Sequence, residues 1–353
     1  MAFETLVINP GSTSTKVAVY GGQDQLFQDE ISHSVSELKQ YDTIIDQFNY
    51  RLEAILSCLE THHYPLENLA AVVGRGGLLR PIESGTYLVT EALKNDLRVG
   101  VSGQHASNLG GLIADDIAKR QGLSAYIVDP VVVDELQDTA RYSGSKDFER
   151  KSIFHALNHK AVGRIAAKGL RKEYQDANFV IAHLGGGVSV GAHALGKVID
   201  VNNALDGEGP FSPERSGNLP LWEFTRKMQE VPASEVYSQI VGKGGLVSYL
   251  GTNDLREVQR MMDEGNEVAS QVFEAMAYQI AKEIGAYATV LKGQVDGIVL
   301  TGGLARSPLF IEKIQQYIDW IAPIIVVPGE DEMGALNEGA QRVLDGTEEA
   351  KHY

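Results

Sequence analysis

Two kinds of hydrophobic pattern alternate along the chain. Short runs of apolar, often β-branched residues predict strands. Longer segments in which apolar residues recur every three or four positions predict helices, most clearly from Ser36 and from Asn266. Because strands in hairpins are mixed with long helices, the pattern indicates an α/β protein with mixed sheets. The predicted strands are residues 5–8, 15–20, 70–73, 125–128, 179–184, 188–193, 197–201, 296–300 and 324–327.

The order of these elements repeats. Residues 6–20 and 180–201 both read as strand, glycine- or serine-containing turn and strand, and helical patterns follow each. A chain of 353 residues also exceeds what one hydrophobic core usually organises. We therefore expect two related α/β domains with a ligand cleft between them. The polar stretch at 140–150 places the first domain at 1–149 plus about 330–353, and the second at 150–329.

Composition excludes several classes of function. The formal net charge of −16 disfavours nucleic acid and anionic membrane as partners. Any anionic substrate must then be held by a local cluster of positive groups. Cys58 is the single cysteine, which excludes an intrachain disulfide and a Cys-based structural zinc site. The sequence shows neither a signal-peptide pattern nor an apolar run of about 18 residues, so we expect a cytoplasmic protein.

Three glycine-rich turns follow apolar strands: "INPGSTSTK", "AHLGGGVSV" and "VLTGGLARS". Backbone N–H groups in such turns can approach an oxyanion closely, because glycine has no Cβ. The glycines could simply permit hairpins, but three such turns together favour a polyphosphate ligand. The chain lacks a Walker A loop and a GxGxxG turn after a strand, and its first turn leads into a second strand. The pattern therefore predicts a β-hairpin clasp for phosphate.

Several segments carry a family resemblance. "VINPGSTSTK", "QHASNLGGLIA", "IAHLGGGVSVGAH", "ALDGEGPFSPERSG" and "GGLVSYLGTNDLREV" resemble the carboxylate kinase family, which includes the acetate kinases. That family belongs to the superfamily of acetate and sugar kinases, actin and hexokinase. Matching segments run from residue 6 to about residue 343. The resemblance implies a duplicated, two-domain ribonuclease-H-like fold that binds ATP/ADP and Mg²⁺ in an interdomain cleft.

The resemblance also implies roles for individual residues. Arg215 matches the family's arginine that bridges carboxylate and transferring phosphoryl group. His183 and His155 match histidines that contact the phosphoryl group, and Asp138 matches an aspartate near the metal, although Asp138 could instead be a simple helix N-cap. The matched phosphate and nucleotide loops contain Asn9, Gly11, Ser12, Ser14 and Lys16, then Gly185, Gly186 and Gly187, and finally Gly302 and Gly303.

Two parts of the family pattern are displaced here. Ungapped matching puts Val72 where acetate kinases carry a substrate-binding arginine, so Arg75, three positions later, becomes the candidate for the substrate carboxylate. The same matching puts Gly74 at the position of a valine that lines the acetate kinase methyl pocket. A missing side chain there would make room for a longer acid. For the metal, the matched stretch is "PGEDEM", and it offers Asp331 and Glu332.

The implied reaction is direct, reversible in-line phosphoryl transfer between ATP and butyrate, isobutyrate or another short-chain acid, giving an acyl phosphate. A carboxylate is already ionised at neutral pH, so it requires no general base. One alternative is an acetate or propionate kinase. A sugar or polyol kinase on the same scaffold would use Asp138 or Asp206 as base, and an actin-like ATP switch would not be an enzyme. His155 and His159, one helical turn apart, could also chelate a metal. The resemblance further implies a homo-oligomer, a dimer or larger.

Overall fold

The computed structural model describes residues 2–353, with only the backbone at residues 233 and 234. Its residues divide into two compact units, Met1–Val133 with Asp331–Tyr353, and Asp134–Glu330. The first division lies at Val133, whereas the sequence placed it at about residue 149. Each unit is described by itself.

The strands in chain order are β1 (Glu4–Pro10), β2 (Ser14–Gly21), β3 (Asp24–Ser32), β4 (Leu69–Arg75), β5 (Thr86–Leu88), β6 (Ser124–Val128), β7 (Asn178–Leu184), β8 (Val188–Ala194), β9 (Lys197–Val201), β10 (Gly297–Gly302) and β11 (Ile324–Pro328). The helices are α1 (Val35–Leu38), α2 (Phe48–Thr61), α3 (Glu91–Val99), α4 (Asn108–Arg120), α5 (Ala156–Gly169), α6 (Leu221–Met228), α7 (Ala233–Ile240), α8 (Gly245–Leu250), α9 (Leu255–Asp263), α10 (Glu267–Val290), α11 (Pro308–Ile318) and α12 (Glu332–Leu344).

The first unit is built on a six-stranded mixed sheet with the order β3-β2-β1-β4-β6-β5. Strands β3, β2 and β1 are antiparallel, and β1, β4 and β6 are parallel. One face carries Leu6 and Ile8, which join the core formed with α2 and α4. On the other face Thr5 donates a hydrogen bond to Asn337 of α12 at 2.6 Å. Helices therefore cover both faces of this sheet.

The second unit repeats that plan with the strand order β11-β10-β7-β8-β9. Here β7, β8 and β9 are antiparallel, and β7, β10 and β11 are parallel. Helix α10 packs on one face, where Phe273 and Ile280 are fully buried, and α5 packs on the other through Val162 and Ala166. The predicted α/β class and the predicted pair of related halves are confirmed.

Two strands and one helix break were not predicted. Strand β3 is an edge strand with mostly exposed positions, so its sequence lacks an apolar alternation, and β5 has only 3 residues. The helix predicted from Ser36 is interrupted between Leu38 and Ile45, and in this segment Asp46 accepts the backbone N–H of Thr43 at 2.9 Å. None of the helices that the structure describes is long and apolar enough to span a membrane.

Candidate active site

The turn between β1 and β2 forms the predicted first phosphate loop. Asn9 of β1 lies opposite Lys16 of β2, so both residues are next to the turn that joins the two strands. Within it the N–H of Gly11 donates to the carbonyl of Ser14 at 2.8 Å. The hydroxyl of Ser14 donates to Glu30 of β3 at 2.7 Å. The structure thus brings the predicted loop residues of this unit together at one hairpin.

A buried arginine that the sequence analysis missed braces this hairpin. Arg51 of α2 is 0% exposed. Its guanidinium donates to the carbonyls of Ser12 at 3.2 Å and Ser14 at 3.1 Å, and to the hydroxyl of Thr15 at 3.0 Å. Burial lowers the pKa of Arg51, and the pattern of α2 marks position 51 only as part of its buried face. Arg51 therefore fixes the path of the loop backbone.

Predicted residues from three parts of the sequence lie together beside this hairpin. Glu332 accepts a hydrogen bond from Nδ2 of Asn9 at 2.8 Å and forms an ion pair with Arg75 at the end of β4. Asp331 is the N-cap of α12, and its Oδ1 accepts the N–H of Gly334 at 2.8 Å. Residues far apart in sequence thus form one polar group within the first unit.

The charges of two arginines, Arg75 and Arg51, act on His105. Desolvation, followed by the charges of Arg75 and Arg51, lowers the pKa of His105, which lies in the quoted stretch "QHASNLGGLIA". The ion pair with Glu332 balances part of the charge of Arg75. Two guanidinium groups therefore act on this part of the first unit together with a neighbouring carboxylate.

The expectation that Gly74 opens a larger acyl pocket is wrong. A Cβ built on Gly74 would overlap the backbone carbonyl of Gly110 and would lie 2.8 Å from the N of Gly111, both on α4. The missing side chain is therefore needed for the close approach of a helix to β4. The space beside Gly74 is filled by the backbone of α4 and is not part of an acyl pocket.

The second predicted loop follows β7. The N–H of Gly185 donates to the carbonyl of Gly187 at 3.1 Å, which closes a tight turn. The carbonyl of Gly186 accepts the Ser212 hydroxyl at 2.6 Å, so the "SPERSG" segment lies directly on this turn. A Cβ on Gly187 would overlap the guanidinium of Arg215. The absence of a side chain at Gly187 lets the guanidinium of Arg215 lie directly against the turn.

The guanidinium of Arg215 has an N–H group that is not used in a hydrogen bond within the described residues. Its Nη1 donates to the carbonyl of Ala204, whereas its Nε is buried and has no hydrogen-bond partner among the described residues. Burial lowers the pKa of Arg215, against opposing contributions from Glu214, Tyr237 and Asp206. A buried N–H without a partner is costly unless a ligand satisfies it, so this side chain is suited to an anionic group.

His155 and His183 lie together in the same unit. Their rings are stacked with centroids 3.8 Å apart and an interplanar angle of 11°. Nδ1 of His183 lies 2.8 Å from Oδ1 of Asn158, and its Nε2 lies 2.9 Å from Oε1 of Glu330. His155 precedes α5, and its Nδ1 lies 2.9 Å from the hydroxyl of Ser189. Two imidazoles are thus held by neighbours at the end of β7.

The third glycine turn adjoins the second. His183 pairs with Thr301 in the ladder of β7 and β10, so both turns lie at the same edge of the sheet. Gly302 has a φ of +89°, and a Cβ there would overlap the carbonyl of Leu184. Gly303 has no atom within 4 Å of its ideal Cβ.

These two neighbouring glycines give a matched stability prediction. Gly302→Ala is expected to lower the free energy of unfolding by about 2–3 kcal/mol, because it adds backbone strain and a steric overlap. Gly303→Ala is expected to change it by less than about 0.5 kcal/mol. Urea denaturation of both variants measures the difference. Equal stability of the two variants would contradict the assignment of strain to Gly302.

The two remaining acidic candidates, Asp138 and Asp206, have different surroundings. Asp138 is exposed at the start of a 3₁₀ helix, Asp138–Arg141, whose N-cap is Gln137. The structure thus does not use Asp138 as the N-cap, the alternative considered above. Asp206, the candidate base of a sugar kinase, accepts Nδ2 of Asn203 at 2.9 Å and contributes to the environment of Arg215.

The chain is similar to known proteins along its whole length. The acetokinase family matches residues 139–317. The probable butyrate kinase of Listeria monocytogenes serovar 1/2a is 54% identical over 355 residues, and butyrate kinase 2 of Clostridium acetobutylicum is also 54% identical over 355 residues, each alignment covering 100% of both chains. The crystal structure of Porphyromonas gingivalis acetate kinase superposes with a TM-score of 0.80 at 22% identity and covers 97% of this chain and 100% of that one. The last likeness establishes a shared fold.

Proposed function

This chain belongs to the acetokinase family, and we propose that it is a carboxylate kinase that transfers the γ-phosphoryl group of ATP reversibly to butyrate or isobutyrate. The products are the acyl phosphate and ADP. Full-length relatives at 54% identity that are named butyrate kinases support a four-carbon acid over acetate or propionate.

One observation carries the proposal: the guanidinium of Arg215 lies on the glycine turn at Gly187 with a buried Nε that lacks a partner among the described residues. The same turn follows His183 directly, and His155 stacks on that ring. The transition state of phosphoryl transfer spreads negative charge over the equatorial oxygens. Fixed N–H donors at a glycine turn, together with an arginine, are suited to that charge.

The proposed step needs positioning and charge stabilisation only. A carboxylate oxygen of the acid attacks the γ-phosphorus of ATP, and the bond from that phosphorus to the β–γ bridging oxygen breaks. The electron pair of that bond leaves on ADP. The acid is already ionised, so no proton has to be removed. Arg215 contacts the transferring phosphoryl group and reduces the repulsion between two anions, with His155 as a further donor. His183 becomes a donor to the same group when its Nε2 leaves Glu330.

The first unit supplies the remaining roles. Arg75 binds the substrate carboxylate, since its guanidinium can form two parallel hydrogen bonds to a carboxylate. Asn9, Ser12, Ser14 and Lys16 contact the phosphates of ATP, and Arg51 holds their loop in place from below.

Mg²⁺ belongs to the same proposal. Asp331 and Glu332 supply carboxylate oxygens, the ligands that Mg²⁺ prefers. The residues fit this role for two reasons. The helix cap of Asp331 uses only its Oδ1, and Glu332 already lies against Asn9 of the phosphate loop. Bound Mg²⁺ would neutralise charge on the ATP phosphates. Asp138 is proposed to lie near the metal, as the family resemblance implies.

We also propose an oligomeric state and a compartment. The family resemblance supports a homo-oligomer, and the sequence supports a cytoplasmic enzyme. The strongly negative net charge continues to disfavour nucleic acid as a partner.

A substrate panel tests the proposed function. The protein is incubated with Mg·ATP, hydroxylamine and acetate, propionate, butyrate, isobutyrate or glycerol, and acyl hydroxamate and ADP are measured. We expect butyrate or isobutyrate to give the highest kcat/KM, with acetate about 10-fold lower, because two buried methylenes are worth ~1.6 kcal/mol. ADP formation with glycerol and no hydroxamate from any acid would instead identify a polyol kinase and overturn the proposal.

A further inference from the structure

A continuous series of hydrogen bonds leads from His155 into the interior of the second unit. Nδ1 of His155 lies 2.9 Å from the hydroxyl of Ser189, which lies 2.8 Å from Nε2 of His159. Nδ1 of His159 lies 3.1 Å from Nε2 of His193, and Nδ1 of His193 lies 2.7 Å from the hydroxyl of Tyr174. We call these five residues the histidine relay.

Two spacings in the sequence assemble the histidine relay. His155 and His159 are one helical turn apart at the start of α5, so they lie on one face of it. Ser189 and His193 are four positions apart on β8, so they point to the same face of the sheet. Helix α5 packs on that face. Ser189, His159 and His193 are 0% exposed, and Tyr174 is 4% exposed.

The two inner histidines are neutral. Burial lowers the pKa of His193, with a further contribution from the charge of Lys160. Burial also lowers the pKa of His159, with further contributions from its imidazole neighbours. A neutral imidazole has one N–H donor and one acceptor nitrogen. The protons of the relay can therefore run in only two orders, either from Tyr174 outward to His155 or from His155 inward to Tyr174.

The hydroxyl of Tyr174 at the inner end, 2.7 Å from Nδ1 of His193, favours the outward order. Nζ of Lys160 and Cζ of Arg164 each lie 5.7 Å from the ring centre of Tyr174. Lys160 is itself paired with Glu135 at 2.6 Å, so these cations do not decide the order of the protons. The order follows from the hydrogen bond at the inner end, because a phenol hydroxyl is a stronger donor than an imidazole N–H and an imidazole nitrogen is a stronger acceptor than a phenol oxygen. In that order Tyr174 donates to His193, His193 to His159, His159 to Ser189, and Ser189 to Nδ1 of His155. The single ring proton that a neutral imidazole carries is then on Nε2 of His155.

We propose that Tyr174, His193, His159 and Ser189 are positioning residues that hold His155 as the Nε2–H tautomer, so that it donates a hydrogen bond to the transferring phosphoryl group. The role toward phosphoryl rests on the proposed function, whereas the tautomer does not. The opposite tautomer would present a lone pair to an anion. The sequence analysis considered His155 and His159 as metal ligands. In the structure both rings instead form hydrogen bonds with the hydroxyl of Ser189.

Nitrogen-15 NMR of protein labelled at the histidine rings reads the tautomer directly, without substrate. In the wild type we expect a protonated, pyrrole-type signal for Nε2 of His155 and an unprotonated signal for Nδ1. Ser189→Ala removes the hydroxyl that donates to Nδ1, and we expect its His155 signals to show a mixture of tautomers. A wild-type His155 protonated on Nδ1, or unchanged signals in Ser189→Ala, would overturn the relay.

Tyr174→Phe provides a second variant in case Ser189→Ala does not fold. It keeps the ring that packs against Gly163, where a Cβ would lie 2.6 Å from Cε2 of Tyr174. Tyr87→Phe is the matched control, because Tyr87 is equally buried at 4% exposure and donates to a carbonyl in the other unit. We expect Tyr174→Phe to shift the His155 signals toward a mixture and Tyr87→Phe to leave them unchanged. A shift in both variants alike would also overturn the relay.

Kinetics then connect the relay to catalysis. We expect kcat to fall about 10- to 100-fold in Ser189→Ala and about 3- to 10-fold in Tyr174→Phe, with the KM for ATP within about 2-fold, as is common when a supporting hydrogen bond is lost. Unchanged kcat in both variants would overturn the positioning role. If no acid is phosphorylated while the wild-type tautomer is as expected, the proposed function fails and the relay stands.

Discussion

Replacing Arg215 with alanine is expected to lower kcat for butyrate about 10³-fold while the Kd for ATP changes less than about 3-fold. The reason is that Arg215 stabilises charge that develops in the transition state, and such interactions raise kcat more than they tighten ground-state binding. The guanidinium lies on the turn at Gly187 and has a buried Nε without a partner among the described residues. Initial rates of hydroxamate formation and ATP binding by calorimetry measure the two effects.

Arg256→Ala is the control for this prediction. Arg256 is an arginine of the same unit whose side chain is 89% exposed and paired with Asp254. We expect its kcat to stay within about 2-fold of the wild type, since surface ion pairs contribute little. Turnover of Arg215→Ala within 10-fold of the wild type would remove this residue from the mechanism.

Replacing Arg75 with alanine is expected to raise the KM for butyrate about 30- to 100-fold with a smaller change in kcat. A charge-assisted, bidentate contact with a carboxylate is worth ~2–3 kcal/mol in ground-state binding. Steady-state kinetics with butyrate varied at saturating ATP separate the two constants. Because Arg75 also pairs with Glu332, the same titration is repeated at several Mg²⁺ concentrations.

Arg80 provides a matched control in the same unit. Its side chain is 66% exposed and forms an ion pair with Asp96. Arg80→Ala is expected to leave the KM for butyrate within about 2-fold. An unchanged KM in Arg75→Ala would mean that another residue binds the substrate carboxylate.

Periodicity was sufficient for much of the fold. The β1–β2 hairpin and β7–β8–β9 follow from short apolar runs broken by glycine or serine, and α10 follows from apolar residues at helical spacing after Asn266. Strand β3 could not be found in this way. It lies at a sheet edge and exposes most of its side chains, so hydrogen bonds to β2 rather than apolar burial determine its place.

Some residues of the candidate site could be predicted from the sequence and others could not. Glycine turns are visible in sequence because a turn that meets another backbone segment requires glycine, as at Gly302. Gly74 shows the limit of this reasoning, since its missing side chain makes room for the backbone of α4. Arg51 and His193 were missed because burial of a polar residue depends on partners in other elements, and single-sequence periodicity does not identify those partners.

The central claim is that a carboxylate oxygen attacks the γ-phosphorus of ATP, and oxygen-18 tests it most directly. Butyrate labelled with oxygen-18 in both carboxylate positions is incubated with Mg·ATP, the protein and hydroxylamine, and the released phosphate is examined by phosphorus-31 NMR. Hydroxylamine attacks the acyl carbon, so attack of a carboxylate oxygen on phosphorus predicts one oxygen-18 atom in the phosphate. Phosphate without oxygen-18, released alongside ADP, would contradict the account.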